Sequence, residues 1–294
     1  MKKLNLGCGD RFNSTWTNVD ISPRSTSVLR HDLRQPLPFD CDSFDIVYHS
    51  HVLEHFDKQD APVFLEECVR VLSSGGVIRV VVPDLERIIH EYLKNIEICR
   101  LAISECHESR DTKADYDWIL LELYDQTVRN QSGGAMLKYL QASTLSNREY
   151  VLHRIGNEAK QIFDSIPAIT NRKSGQAEVN LAKRLKLFAR HLFRNMGALR
   201  GWRGIRRSLA NKLMTIDERN ALTLGLFRNA GEIHQWMYDS FSLHRLLQQC
   251  GLIDICVVSA TDSKIHDWKR DELDSDAQGN PHKPDSLYME AKKP

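Results

Sequence analysis

LNLGCGDRFNSTWTNVD, Leu4–Asp20, is the stretch that decides the fold. Leu4, Asn5 and Leu6 make a short apolar strand that runs straight into Gly7-Cys8-Gly9. Thr17, Asn18 and Val19 form a second extended run that ends on an acidic residue, Asp20. In an open α/β sheet, ligands sit outside the carboxyl ends of the strands, near the point where strand order reverses. Gly7 and Gly9 lack a Cβ, so the backbone there can turn sharply and meet a ligand closely. A carboxylate at Asp20, at the tip of the next strand, can accept hydrogen bonds from two ribose hydroxyls. Taken alone, the same pattern also describes a glycine turn between two buried strands.

The stretches that follow extend the reading. Asp32-Leu33 falls a dozen residues after Asp20, at the end of a third apolar run. FDIVYHSHVLEHF, Phe44–Phe56, supplies a fourth strand and the start of a helix. ECVRVLSSGGVIRVVVP, Glu67–Pro83, supplies a helix end, a Gly-Gly turn and a fifth strand rich in β-branched residues. This series resembles the class I S-adenosylmethionine-dependent methyltransferases, closely over residues 1–90 and more loosely over 231–292.

The resemblance implies a Rossmann-like α/β fold, mostly parallel, with a large helical insertion after the fifth strand. It implies S-adenosylmethionine as cofactor, cradled by Gly7, Cys8 and Gly9, with Asp20 on the ribose. Asp32 would accept from the adenine amine while the Leu33 amide donates to a ring nitrogen. His49 and Ser50, at the end of the fourth strand, would lie by the methionine arm. The later segment GEIHQWMYDSFSLHRLLQQCGL (231–252), followed by KPDSLYMEA, is similar to methyltransferases of bacterial surface-polysaccharide synthesis.

The chain has 294 residues and a formal charge of +1, so global charge implies no partner. Its seven cysteines form no CxxC pair and no Cys/His cluster of zinc spacing, which reads as reduced thiols in a cytoplasmic protein. The apolar residues before Gly7 are too few for a signal-peptide core, and no run reaches membrane-spanning length. The expected location is therefore the cytoplasm.

Residues 1–83 and 229–294 are expected to form the cofactor-binding core, and 84–228 an inserted helical region facing substrate. Within the core, Asp60 should cap a helix over Asp60–Leu72, with Pro62 in its first turn. Ser73–Gly76 should end it before a strand over Val77–Val82. In the insertion, helical tracts are expected over Asp84–Cys106, Tyr116–Val128 and Lys138–Phe163. Asn180–Met214 carries ten basic residues and no Asp or Glu, with apolar residues at helical spacing. It reads either as a helix with a solvated basic face or as a docking surface for an anionic membrane or a lipid-linked substrate. Further on, Ser242 should cap a helix through Gln249. A strand follows over Ile253–Ser259, then a polar loop over Asp262–Pro284 and a last strand over Ser286–Lys292.

Methyl transfer from a sulfonium is an in-line displacement in which the cofactor carries the electrophile. The protein must align the acceptor and, for a hydroxyl, remove a proton. The candidate bases are His234, His51 and Asp239, with His234 expected at the rim of the site. His51 and His55 have the i,i+4 spacing of two metal ligands on a helix. No Glu follows His51 directly and no third ligand motif is apparent, so no metal is expected. O-methylation of a glycan or glycan precursor is the reading. An RNA or small-molecule methyltransferase and a non-catalytic cofactor-binding module are the alternatives. A nicotinamide-dependent oxidoreductase is disfavoured, because Asp10–Trp16 offers neither a third glycine nor a helix N-terminus for a pyrophosphate. Nucleic-acid base modification lacks its Asn/Asp-Pro-Pro-aromatic or Pro-Cys signature.

Overall fold

The computed structural model of the chain describes residues 1–105, 110–142, 144–165 and 214–294. It divides into two compact units, Met1–Ser165 with Gly231–Pro294, and Ile166–Ala230.

In the first unit the strands are β1 (Lys3–Leu6), β2 (Thr17–Asp20), β3 (Val28–Arg30), β4 (Phe44–Ser50), β5 (Leu72–Pro83), β6 (Ile253–Val258) and β7 (Ser286–Lys292). They form one sheet in the order β3-β2-β1-β4-β5-β7-β6. β1 to β5 run parallel, and β7 runs antiparallel to both β5 and β6. Strand order therefore reverses at β1, which lies between β2 and β4, and the crevice expected of such a sheet opens beyond Leu6. Leu4, Leu6, Val47, Ile78, Val80 and Val82 are wholly buried, as strands covered on both faces require.

Helix α1 (Asp60–Val71) covers one face because Ala61, Phe64, Leu65, Cys68 and Val71 fall on one stripe and are all buried. Its first amides are met by Asp57 rather than by the expected Asp60. Asp57 Oδ1 accepts from the amides of Gln59 at 2.9 Å and Asp60 at 2.8 Å. The helix passes into β5 at Leu72 without a linker, so Ser73–Gly76 belong to the strand rather than to a turn.

The opposite face is closed by the 262–284 segment, which is more than a polar loop. Ile265, Trp268 and Leu273 are buried there with Trp16, Tyr48 and Tyr288. Arg79 of β5, fully buried, pairs with Asp274 at 2.7 Å and Glu290 at 2.6 Å. Tyr48 donates to the other Asp274 oxygen at 2.6 Å.

After β5 come α2 (Leu85–Ser104), α3 (Arg110–Val128), α4 (Gly134–Leu140), α5 (Arg148–Ile155) and α6 (Asn157–Ser165). The helical tract expected over Lys138–Phe163 is thus three helices. Trp118, Leu140, Val151, Ile155, Ala159 and Phe163 make a small core of their own, with a buried Arg154–Glu122 pair at 2.6 Å. These helices belong to the same compact unit as the sheet.

In the second unit α7 (Ile216–Arg228) starts with a capping box between Thr215 and Glu218. The basic tract 180–214 lies outside the described residues except for Met214. Back in the first unit, α8 (Ser240–Gln249) buries Leu243 and Leu247 against the sheet. Among the described residues no helix is long and apolar enough to cross a membrane.

Candidate active site

The glycine turn beyond β1 has the geometry a close ligand needs. Gly7 has φ +65°, and a Cβ there would stand 2.3 Å from Val52 Cγ2, so only glycine fits. Gly9 has φ +53°, and a Cβ there would meet nothing within 4 Å. The turn is tied to β2, with the Gly7 and Cys8 amides both donating to the Val19 carbonyl at 2.8 and 3.1 Å. Asp20 Oδ2 accepts from the Gly9 amide at 2.9 Å and Oδ1 from the Ser22 amide at 2.7 Å. A carboxylate has about four acceptor sites, so two remain for ribose hydroxyls. Cys8 is buried, and burial together with Asp20 pushes its thiol up to about 12, leaving it a neutral lining group.

Beyond β3, Asp32 is gripped by Arg34 through Nε at 2.9 Å and Nη2 at 2.7 Å. That contact holds its carboxyl below the usual range, so it stays ionised as an acceptor. Leu33 is half-buried beneath the turn, its Cδ1 3.7 Å from a Cβ built on Gly7. The open side of Gly9, the acceptors of Asp20 and the ionised Asp32 fit the donors and the bulk of S-adenosylmethionine.

At the end of β4 the side chains part company. His49 does not turn toward this cleft. It is wholly buried against α1, its ring 5.2 Å from Phe64, and neither ring nitrogen has a partner among the described residues. Burial lowers its pKa to about 4, so it is neutral, and only its backbone can serve a ligand. Ser50, half-buried, closes the strand. His51 follows at φ +54°, a left-handed conformation that costs a non-glycine residue roughly 1–2 kcal/mol. Such strain persists where the surroundings enforce it, commonly at functional sites.

The surroundings of His51 are specific. Its Nδ1 stands 3.2 Å from Glu54 Oε1, and its Nε2 lies 2.9 Å from Ser286 Oγ. Hydroxyl, imidazole and carboxylate thus stand in series. Ser286 is only 3 % exposed, so its hydroxyl is closed to a substrate in this arrangement. Burial, helped by Lys283, lowers the His51 pKa against the opposing pull of Glu54.

His234 is not at a rim. It is 4 % exposed, with Nε2 3.9 Å from Glu54 Oε1 and its ring edge-on to His55. Burial drives its pKa down to about 3. Its segment is clamped to the 3-10 turn Leu53–His55, because the Gln235 and Trp236 amides donate to the Glu54 carbonyl at 2.7 and 3.2 Å. Asp239 is no base. It caps α8, accepting from the Ser242 amide at 2.7 Å, and so also replaces Ser242 as the expected cap.

Glu54, which the sequence reading passed over, is the centre of this arrangement. It is wholly buried. Burial alone would raise its pKa, but His51, His55 and His234 outweigh that and hold the carboxyl well below its usual range. The HVLEH and EIHQW segments were both visible in the sequence, but nothing in either showed that they meet.

Residues 4–80 match the family described as methyltransferase domain. No curated protein matches the chain. Among solved structures the chain is similar to an S-adenosylmethionine-dependent methyltransferase of Mesorhizobium loti, at 20 % identity and TM-score 0.22 over 28 % of this chain and 47 % of that one. It is similar to a Thermotoga maritima methyltransferase described as a possible histamine N-methyltransferase, at 26 % identity and TM-score 0.26 over 32 % and 50 %. A third match is to the complex between the Haloferax volcanii Trm112 methyltransferase activator and a methyltransferase, at 12 % identity and TM-score 0.34 over 100 % and 82 %. The chain thus spans about half the length of the first two structures it matches. The matched segment holds the glycine turn, Asp20, β4 and most of β5, and it is a methyltransferase domain.

Proposed function

We propose that this protein transfers a methyl group from S-adenosylmethionine to a hydroxyl of a glycan or glycan precursor, with His51 as the general base. The observation that carries the reading is the position of His51. It lies one residue beyond β4, at the carboxyl edge of the sheet, backed by Glu54 and neutral enough to take a proton at neutral pH. Bound S-adenosylmethionine supplies the electrophilic methyl carbon, and the electron pair of the broken C–S bond stays on sulfur. An acceptor hydroxyl, on forming the C–O bond, would give its proton to His51 Nε2, which must first part from Ser286 Oγ. Glu54, 3.2 Å from Nδ1, would stabilise the imidazolium that results. The glycan acceptor is the expectation that residues 231–252 raise in the sequence.

The test is His51→Ala assayed on nucleotide-linked and lipid-linked sugars. Turnover should fall by roughly 10²–10⁴-fold, the range general bases contribute, while S-adenosylhomocysteine affinity stays put. Unchanged turnover overturns the assignment of the base, and methylation of RNA but of no sugar overturns the acceptor. The basic tract 180–214 would bring the enzyme to lipid-linked acceptors at the cytoplasmic membrane face, through about 1 kcal/mol per cation near anionic headgroups. Salt-sensitive co-sedimentation with anionic liposomes tests that docking, and its absence at low salt removes it.

A further inference from the structure

Among the described residues, neither oxygen of the buried Glu54 carboxylate has a well-aligned hydrogen-bond partner, the nearest donor being His51 Nδ1 at 3.2 Å, and His234 Nδ1 has none. Buried charges are normally paired with good geometry or bound to metal, and an orphan of this kind is costly. His51, at 3.2 Å, is close to Oε1 but does not form an aligned hydrogen bond with it.

Two imidazoles complete a donor set around the carboxylate. One ligand atom each of Glu54, His55 and His234 lies within 4.8 Å of the others. The His55 and His234 rings meet edge to face with centroids 4.9 Å apart. His55 Nδ1 lies 3.1 Å from the Ile233 carbonyl, a contact in which only an N–H can donate. That bond fixes the tautomer and leaves the Nε2 lone pair for a ligand, as the outer partners of metal-bound histidines do. The backbone holds the parts in place, with the His234 amide on the Gln126 carbonyl at 3.0 Å and two further amides on the Glu54 carbonyl.

We propose that Glu54, His55 and His234 form a site for a divalent transition-metal ion of zinc-like character. Two histidines and one carboxylate are a set that zinc uses, with bonds of about 2.0–2.2 Å. Bonds of that length place ligand atoms roughly 3.4 Å apart in a tetrahedron, so separations of up to 4.8 Å need shorten by at most about 1.4 Å. His51 is the neighbour able to hydrogen-bond the bound carboxylate. His55 is only half-buried, which gives an ion a way in. Imidazole donors suit zinc and its neighbours and do not suit Mg²⁺ or Ca²⁺. The site stands whatever the methyl acceptor proves to be.

The experiment uses the full chain stripped with a chelator and titrated calorimetrically with Zn²⁺, with Mg²⁺ as a parallel arm. One Zn²⁺ per chain is expected, with a raised melting temperature and no response to Mg²⁺. Glu54→Gln and His55→Ala should each weaken binding by more than the roughly 10–100-fold that loss of a supporting partner costs. Glu54 is buried and its variant can fail to fold, so His55→Ala, checked by circular dichroism, carries the comparison. X-ray absorption of the loaded protein should show nitrogen and oxygen neighbours only. Absence of Zn²⁺ binding, an equal response to Mg²⁺, wild-type affinity in folded His55→Ala, or sulfur among the ligands would each overturn the site.

Discussion

The Gly9 amide donates to Asp20 Oδ2 at 2.9 Å, so the two ends of the glycine motif are locked to each other before any ligand arrives. The hydrogen bond fixes the Asp20 carboxylate beside the glycine turn that ends β1. Asp20→Ala should lower affinity for S-adenosylhomocysteine by about ten- to a hundredfold, the equivalent of losing a charge-assisted hydrogen bond of roughly 1.5–3 kcal/mol. Gly9→Val should also weaken binding, since its branched side chain would fill space that is open in the structure. Calorimetry on the folded variants decides, and full affinity in Asp20→Ala would remove the residue from the cofactor site.

Asp239 and Ser242 exchange side-chain and backbone hydrogen bonds at the start of α8. Asp239→Ala should therefore cost about 0.5–2 kcal/mol of stability, while Asp239→Asn, also a good cap, should cost much less. Urea denaturation measures both. Turnover of folded Asp239→Ala should remain close to wild type, and a hundredfold loss would return the residue to the chemistry.

What the sequence makes legible follows physical range. The sheet was readable because its strands are short, apolar and bounded by turn formers, and because Asp20 and Asp32 stand where such strands end. Local ambiguity misled the reading at helix starts. In D-S-F-S both Asp239 and Ser242 are acceptable caps, and only the three-dimensional path shows the aspartate outside the helix. The same holds for Asp57 and Asp60. Glu54 was invisible for a different reason. Its neighbours His51 and His55 are local, but His234 arrives from far along the chain, and spacing alone marks only the His-x-x-x-His pair. The Asp262–Pro284 segment looked solvated because its apolar residues are isolated in sequence, although Ile265, Trp268 and Leu273 converge on one face of the sheet.

His49 offers a pH prediction with a definite sign. Its pKa falls from about 6.5 unfolded to about 4 folded because burial disfavours the imidazolium. Between those values the unfolded chain binds the proton first, so this residue's contribution to stability is lost as pH drops from 6.5 to 4. The loss can reach about 1.4 kcal/mol per pH unit. His49→Leu removes both the titration and two orphaned nitrogens, and near neutral pH it should stabilise by roughly 1–3 kcal/mol. Thermal melts from pH 4 to 7 should show the variant's advantage widening toward acid. A gap that stays constant with pH would mean that His49 does not titrate as its burial demands.

Arg79 closes the far face of the sheet, and its partners define the last prediction. The guanidinium reaches Asp274 and Glu290 while stacking over Trp268 with 4.5 Å to the ring centroid. All three charged groups are buried, and burial already pushes the Asp274 carboxyl up against the pull of Arg79. Arg79→Met keeps much of the volume but strands two carboxyl groups in the core. Breaking a buried pair from one side typically costs about 3–5 kcal/mol, far more than the pair contributes over an apolar replacement. Arg79→Met should therefore shift the urea midpoint strongly downward. Adding Asp274→Asn and Glu290→Gln to that variant should recover most of the loss, because neutral amides no longer need the missing cation. A triple variant no more stable than Arg79→Met alone would show that packing against Trp268, rather than charge compensation, is what Arg79 provides.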